Sequence, residues 1–141
     1  MKDETLDFFE QLEEKQKNWK KQYVDIDPLL EELRQSLNGD IEKWEHDYPT
    51  RSLHWVRADG LECSISMFLE SNLKIWGMAW KDEEKKSERW LRKEVIFKEI
   101  TLPFPQGKLR TILYDIADNL NKTTLMDLDS KNPVNLIPRN L

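Results

Sequence analysis

Apolar residues recur every three or four positions over the first fifty residues. They recur every second position around Leu61–Leu69, and every three or four again after Lys108. Switches of this kind predict helices, then strands, then a helix. Phe8, Leu12, Trp19 and Tyr23 follow helical spacing, with Leu6 and Phe9 widening the stripe. This predicts a helix over 3–23 capped by Asp3, with a solvated Glu/Lys/Gln face. Asp27-Pro28 reads as a restart, an N-cap followed by proline in the first helical position. Leu30, Leu33, Leu37, Ile41, Trp44 and Tyr48 continue the period, and Asn38-Gly39 interrupts it. Asn38-Gly39 reads as the end of one helix, with Asp40 capping a short further one. Two N-terminal helices, or two and a half, are expected before Pro49.

Leu61, Cys63, Ile65, Met67 and Leu69 then alternate with Glu62, Ser64, Ser66 and Phe68, the clearest strand pattern in the chain. Asp59-Gly60 before it reads as a two-residue hairpin turn, which makes 52–58 the preceding strand. Ser71-Asn72 reads as a second tight turn into a strand over 73–81. The charged stretch 82–87 leads to a fourth strand over about 89–100. From Lys108 the residues Leu109, Ile112, Leu113, Ile116, Ala117 and Leu120 predict an amphipathic helix. The expected fold is α+β and a single domain over 1–141. It has a helical part (1–50), a four-stranded antiparallel meander (51–101), a helix packed on the sheet (106–121) and an extended tail (122–141).

Two-residue turns would fix the register. Val56 would pair with Cys63 and His54 with Ile65; Met67 would pair with Trp76 and Cys63 with Trp80. Paired residues share a face. One face then gathers Val56, Leu61, Cys63, Ile65, Met67, Trp76, Met78 and Trp80 as core. The other gathers Trp55, Arg57, Ser64, Ser66, Phe68, Gly77, Ala79, Trp90 and Arg92. On this second face small residues form a floor between Trp55 and Trp90. Trp and Arg are the residues enriched at interface hot spots. Trp55, Arg57, Phe68, Trp90 and Arg92 are therefore the candidate partner-binding residues. A one-residue slip at either turn would exchange the faces.

Composition narrows the class. Apolar residues are 38% and charged residues 35% of the chain, but the charges are mixed and the apolar positions periodic, which favours a folded chain over a disordered one. Residues 1–50 hold 14 Asp/Glu against 7 Lys/Arg, and residues 51–141 hold 13 against 15. An overall net charge of −5 argues against DNA or RNA binding, which rests on phosphate neutralisation. Cys63 is the sole cysteine, so no internal disulfide forms. The start Met1-Lys2-Asp3-Glu4 lacks the layout of a secretory leader. No apolar run approaches the roughly 20 residues that span a bilayer. A cytoplasmic protein with no membrane association is expected.

Candidate chemistry is sparse. His54 and Cys63 would lie on the same face across the first hairpin, the one hint of a Cys-His dyad, although a buried cysteine more often acts as a small hydrophobe. Glu42 and His46 would share a helix face, but two ligands do not make a metal site. No glycine-rich phosphate loop is present, and the expectation is no cofactor, no metal and no enzyme. The lysines and arginines between Lys81 and Lys98 interleave with acids, as in an exposed hairpin with cross-strand ion pairs. Together these features favour a non-enzymatic protein-binding accessory domain, of an immunity-, antitoxin- or regulator-like kind, with homo-oligomerisation left open. The alternatives are a small-molecule site lined by Trp and Met and, third, a single-strand nucleic-acid binder.

Overall fold

A computed structural model describes residues 4–45, 49–69, 72–81, 93–101 and 104–129. It is α+β, with one five-stranded antiparallel sheet in the order β1-β2-β3-β4-β5 and helices on one face. The strands are β1 (Asp40–Trp44), β2 (Thr50–Val56), β3 (Leu61–Leu69), β4 (Asn72–Lys81) and β5 (Lys93–Thr101). The helices are α1 (Glu4–Leu37), α2 (Gln106–Lys122) and α3 (Leu125–Asp129).

The expected pair of N-terminal helices is one helix. α1 runs for 34 residues with Pro28 inside it. An interior proline removes a backbone donor and costs about 3 kcal/mol. Tyr23, Ile26, Leu30 and Leu33 are all buried at spacings of three and four, so the apolar stripe runs straight through the proline. Burying each of four such side chains contributes roughly 1.5–3 kcal/mol, which outweighs the defect. Val24, whose carbonyl loses its donor, lies on the solvent side, 68% exposed.

α1 ends where Asn38-Gly39 predicts. Asn38 adopts φ 53°, the Gly39 amide donates to the Arg34 carbonyl at 3.0 Å and the Asn38 amide to the Gln35 carbonyl at 3.4 Å. This is a Schellman cap, which a left-handed Asn closes well. Beyond the cap the chain enters a strand and not a second helix, so the sheet has five strands and not four. Gly39 is buried against β2, and a Cβ there would meet the His54 carbonyl oxygen at 2.7 Å. Only glycine permits that approach, and it starts β1 alongside β2. Residues 125–129 are the short helix α3, where an extended tail was expected.

Both hairpin registers differ from expectation by one residue. Val56 pairs with Glu62, Trp55 with Cys63 and Leu53 with Ile65. Arg57 donates to the Leu61 carbonyl at 2.8 Å, Gly60 donates to Arg57 at 3.0 Å, and Gly60 has φ 87°. The loop is therefore the three residues Ala58-Asp59-Gly60, a type I turn closed by a left-handed glycine. At the next corner Leu69 pairs with Leu73, and Ile65 with Gly77. A shift of one residue moves every side chain of a strand to the other face. Relative to β3, the faces of β2 and β4 are thus exchanged.

The helix-covered face carries Leu53, Trp55, Leu61, Cys63, Ile65, Met67, Leu69, Leu73, Ile75, Ala79 and Ile100, all buried. They close against Leu109, Leu113, Ile116 and Leu120 of α2, as the amphipathic pattern predicts, and against the buried stripe of α1. Gly77 lies directly under α2, where a Cβ would meet Ile116 Cγ2 at 2.7 Å. Arg51 is drawn into this core. Its guanidinium lies 4.2 Å above the Tyr23 ring and bonds Asp27 (2.8 Å) and Glu45 (2.8 Å), so the buried charge is paired. No described helix is long and apolar enough to cross a membrane.

Candidate functional site: the helix-free sheet face

Cross-strand pairing lays out the second face, which none of the described helices covers, as rows. Trp44, Thr50, Phe68, Lys74 and Glu99 form one; Glu42, Ser52, Ser66, Trp76 and Phe97 form the next. Asp40, His54, Ser64, Met78 and Glu94 form a third, and Val56, Glu62 and Trp80 a fourth. In β5 the register shifts, with Gly77 opposite Ile96 and Met78 opposite Glu94. Val95 is the extra residue of a bulge, and Glu94 is re-aimed onto this face.

The rows carry hydroxyls on β2 and β3, with aromatic and acidic side chains around them. The Ser52 hydroxyl lies 3.1 Å from Ser66 and 3.4 Å from Ser64, a small hydroxyl cluster on β2 and β3. On one side Trp76 meets Phe97 with centroids 5.2 Å apart. On the other, the His54 ring stacks on Trp80 at 5.7 Å while its Nε2 lies 3.1 Å from Glu62 Oε1. Met78 is fully buried between these groups, forming with Trp80 an apolar cluster separate from the main core, and Trp76 packs on it. Trp44 and Phe97, on the two edge strands, are 56% and 42% exposed. β1 and β2 also frame a shallow cleft of about 350 Å³ lined by Glu42, Lys43, Trp44, Thr50 and Ser52.

The charges of this face are lopsided. Its described strand positions carry Asp40, Glu42, Glu62, Glu94 and Glu99 against Lys74. Lys43, Lys93 and Lys98 pair with Arg51, Ala79 and Ile75 and so belong to the helix side.

The residues expected to bind a partner are distributed differently. Trp55 lies on the helix side, 3% exposed, and its Nε1 donates to Asn121 Oδ1 at 2.9 Å; the register slip puts it in the core. Arg57 closes the C-terminal end of α2, donating to the carbonyls of Leu120 (3.0 Å) and Thr123 (2.6 Å) and to Asp59 (2.6 Å). Phe68 stays on the helix-free face, half-buried. Trp90 and Arg92 lie outside the described residues, as does His46. Gly77 and Ala79, expected as floor, are core, and Trp76, Met78 and Trp80, expected as core, line the helix-free face.

The Cys-His pairing is lost by the same slip. Cys63 is buried on the helix side, its thiol 3.8 Å from the Leu120 carbonyl and pushed up to about 12 by burial. His54 is opposite Ser64, on the other face. Among the described residues, no three His, Cys, Asp or Glu side chains come together as a metal cluster. Comparison with protein-family models, with characterised proteins and with solved structures gives no match.

Proposed function

We propose that the chain is a non-enzymatic binding domain whose helix-free sheet face docks a protein partner that presents basic side chains. The observation that carries this is the pairing of aromatic rings with an excess of carboxylates on that face: Trp76 and Phe97 beside Glu94 and Glu99, and Trp44 beside Glu42 on the far edge. Aromatic faces attract lysine and arginine, and carboxylates pair with them. The same charge disfavours a phosphate backbone, so nucleic acid ranks below protein. Aromatic anchors around a small polar floor match the composition of interface hot regions.

The test is a partner isolated with the tagged chain, identified, produced alone and titrated calorimetrically. Phe97→Ser and Glu42→Lys are expected to weaken binding at least about tenfold, the scale of one lost anchor, with the melting temperature unchanged. Wild-type affinity in both variants sinks the reading. One observation favours a second reading, a small-molecule site: the Trp44 cleft has a ligand-sized volume of about 350 Å³ and both hydroxyl and carboxylate lining. A ligand whose stabilising effect on melting disappears in Trp44→Ala would select that reading instead.

A further inference from the structure

The cleft that β1 and β2 frame has four corners. Trp44 stands opposite Thr50, and Glu42 opposite Ser52. Residues two apart on a strand point to one face at a spacing of about 7 Å. The four side chains therefore border a shallow space of about 350 Å³, lined also by Lys43. That volume sits at the low end of the roughly 300–1,000 Å³ of small-ligand sites, the size for one long side chain.

Three of the four corners present hydrogen-bond acceptors. The Glu42 carboxylate is exposed and has no ion-pair or hydrogen-bond partner among the described residues. The Ser52 hydroxyl lies 3.1 Å from Ser66 and keeps a lone pair whichever of the two donates, and Thr50 adds a second hydroxyl. The fourth corner is the Trp44 ring, 56% exposed on the edge strand. The cation among the lining residues, Lys43, sends its ammonium to Asp27 at 3.6 Å, on the helix side. Its positive charge is thus turned away from the cleft.

A ligand that fits this set donates several hydrogen bonds, carries positive charge and offers a flat group to the indole. Phosphate and carboxylate are repelled by Glu42. An ammonium meets the charge condition, but as a compact, strongly hydrated point with three donors. A guanidinium meets all three conditions. It is planar and always charged, has five N–H donors and stacks on aromatic faces.

We propose that this cleft is the subsite for one arginine side chain of the partner, its guanidinium stacked on Trp44 and its N–H groups donating to Glu42, Thr50 and Ser52. The assignment rests on the reading of the helix-free face as a docking surface for a basic protein. It adds the residue type that the partner inserts at the β1 edge, and it makes Trp44 and Glu42 the pair that selects it.

The experiment titrates the full chain with acetyl-Gly-Arg-Gly-amide and follows the Trp44 indole N–H by heteronuclear NMR, the signal being assigned by its absence in Trp44→Phe. The peptides with lysine or glutamate in place of arginine are run at the same ionic strength, because salt screens exposed charges. The arginine peptide is expected to shift that signal saturably. The lysine peptide should bind at least about threefold more weakly, and the glutamate peptide should leave the signal unmoved. Glu42→Gln should weaken the arginine peptide at least about threefold at an unchanged melting temperature, because the carboxylate it replaces is exposed and holds no ion pair. The proposal is overturned by an arginine peptide that gives no saturable shift, by equal affinity for the arginine and lysine peptides, or by a Glu42→Gln chain that binds like wild type. Its failure is separable from that of the docking reading. Once the partner is identified, Phe97→Ser, on the far edge strand, probes the face without touching the cleft. Partner affinity lost in that variant, with no arginine peptide bound at Trp44, sinks the subsite alone. Wild-type partner affinity in both Phe97→Ser and Glu42→Lys, with the arginine peptide still seated in the unsubstituted chain, sinks the docking reading and leaves an arginine-selective site.

Discussion

Trp55 and Asn121 join the sheet to the last turn of α2 through a 2.9 Å hydrogen bond from the indole Nε1 to the amide oxygen. The ring itself is 3% exposed. Trp55→Ala is expected to cost about 3–5 kcal/mol, as core aromatic truncations do. Trp55→Phe keeps most of the buried area and forfeits the hydrogen bond, at about 0.5–1.5 kcal/mol. Urea unfolding measures both. A Trp55→Ala chain as stable as wild type would return this residue to the candidate surface.

Gly77 is a point of close contact between β4 and α2. A Cβ added there would stand 2.6 Å from Ile96 Cγ2 and 2.7 Å from Ile116 Cγ2. Gly77→Ala is expected to destabilise by about 1–3 kcal/mol through overpacking. Ile116→Ala removes the Cγ2 methyl itself, so the double variant should be less destabilised than the sum of the two single ones. A double-mutant cycle showing simple additivity would contradict the contact.

The Arg51 charge is held by unequal partners. Asp27 is 27% exposed and Glu45 is 44% exposed. Asp27→Ala is expected to cost about 2–3 kcal/mol, less than a buried pair broken outright because Glu45 remains. Glu45→Ala should cost under about 1 kcal/mol, as exposed ion pairs do. Thermal unfolding of the two variants side by side tests the order; equal losses would contradict it.

Alkaline pH should unfold the protein early. Burial pushes the Cys63 thiol from 9.0 up to about 12 and raises the Tyr23 phenol as well. Between those two values the unfolded chain releases the Cys63 proton and the folded chain retains it. Stability from this group is therefore full below pH 9.0 and is lost as pH climbs toward 12. Cys63→Ala should shift the whole curve by a packing cost and flatten its alkaline slope. An identical slope in wild type and variant would remove the thiol as the cause. The native thiol should also resist alkylation at pH 8, since thiolate is the reactive form.

The helical stripes and the alternation of β3 were legible because each depends on one period held over many residues. Ser64, Ser66 and Phe68 were placed on the correct face for that reason. The neighbours of β3 were not, because their faces depend on loop length. Asp59-Gly60 suits a two-residue turn as well as the last two residues of a three-residue one; in both, the glycine takes positive φ. That ambiguity moved Trp55 and Arg57 into the candidate site and Trp76, Met78 and Trp80 out of it. Leu37, Ile41 and Trp44 are spaced by four and three, so the run carried no mark that the chain had changed state at Gly39. Pro28 misled for a different reason: its local preference for a first turn is weaker than the burial of the residues on either side.

The corner Ala58-Asp59-Gly60 has a consequence for how this chain can be inherited. A codon gained or lost there leaves the composition almost intact. Yet it would turn β2 over, setting Trp55 into water and His54 against α2. Two codons gained or lost together would preserve the faces and merely lengthen or shorten the hairpin. Related sequences should therefore vary at this corner in steps of two, or carry a compensating change of parity within the same strand pair. Substitutions, by contrast, should accumulate freely at Ala58, whose side chain is exposed.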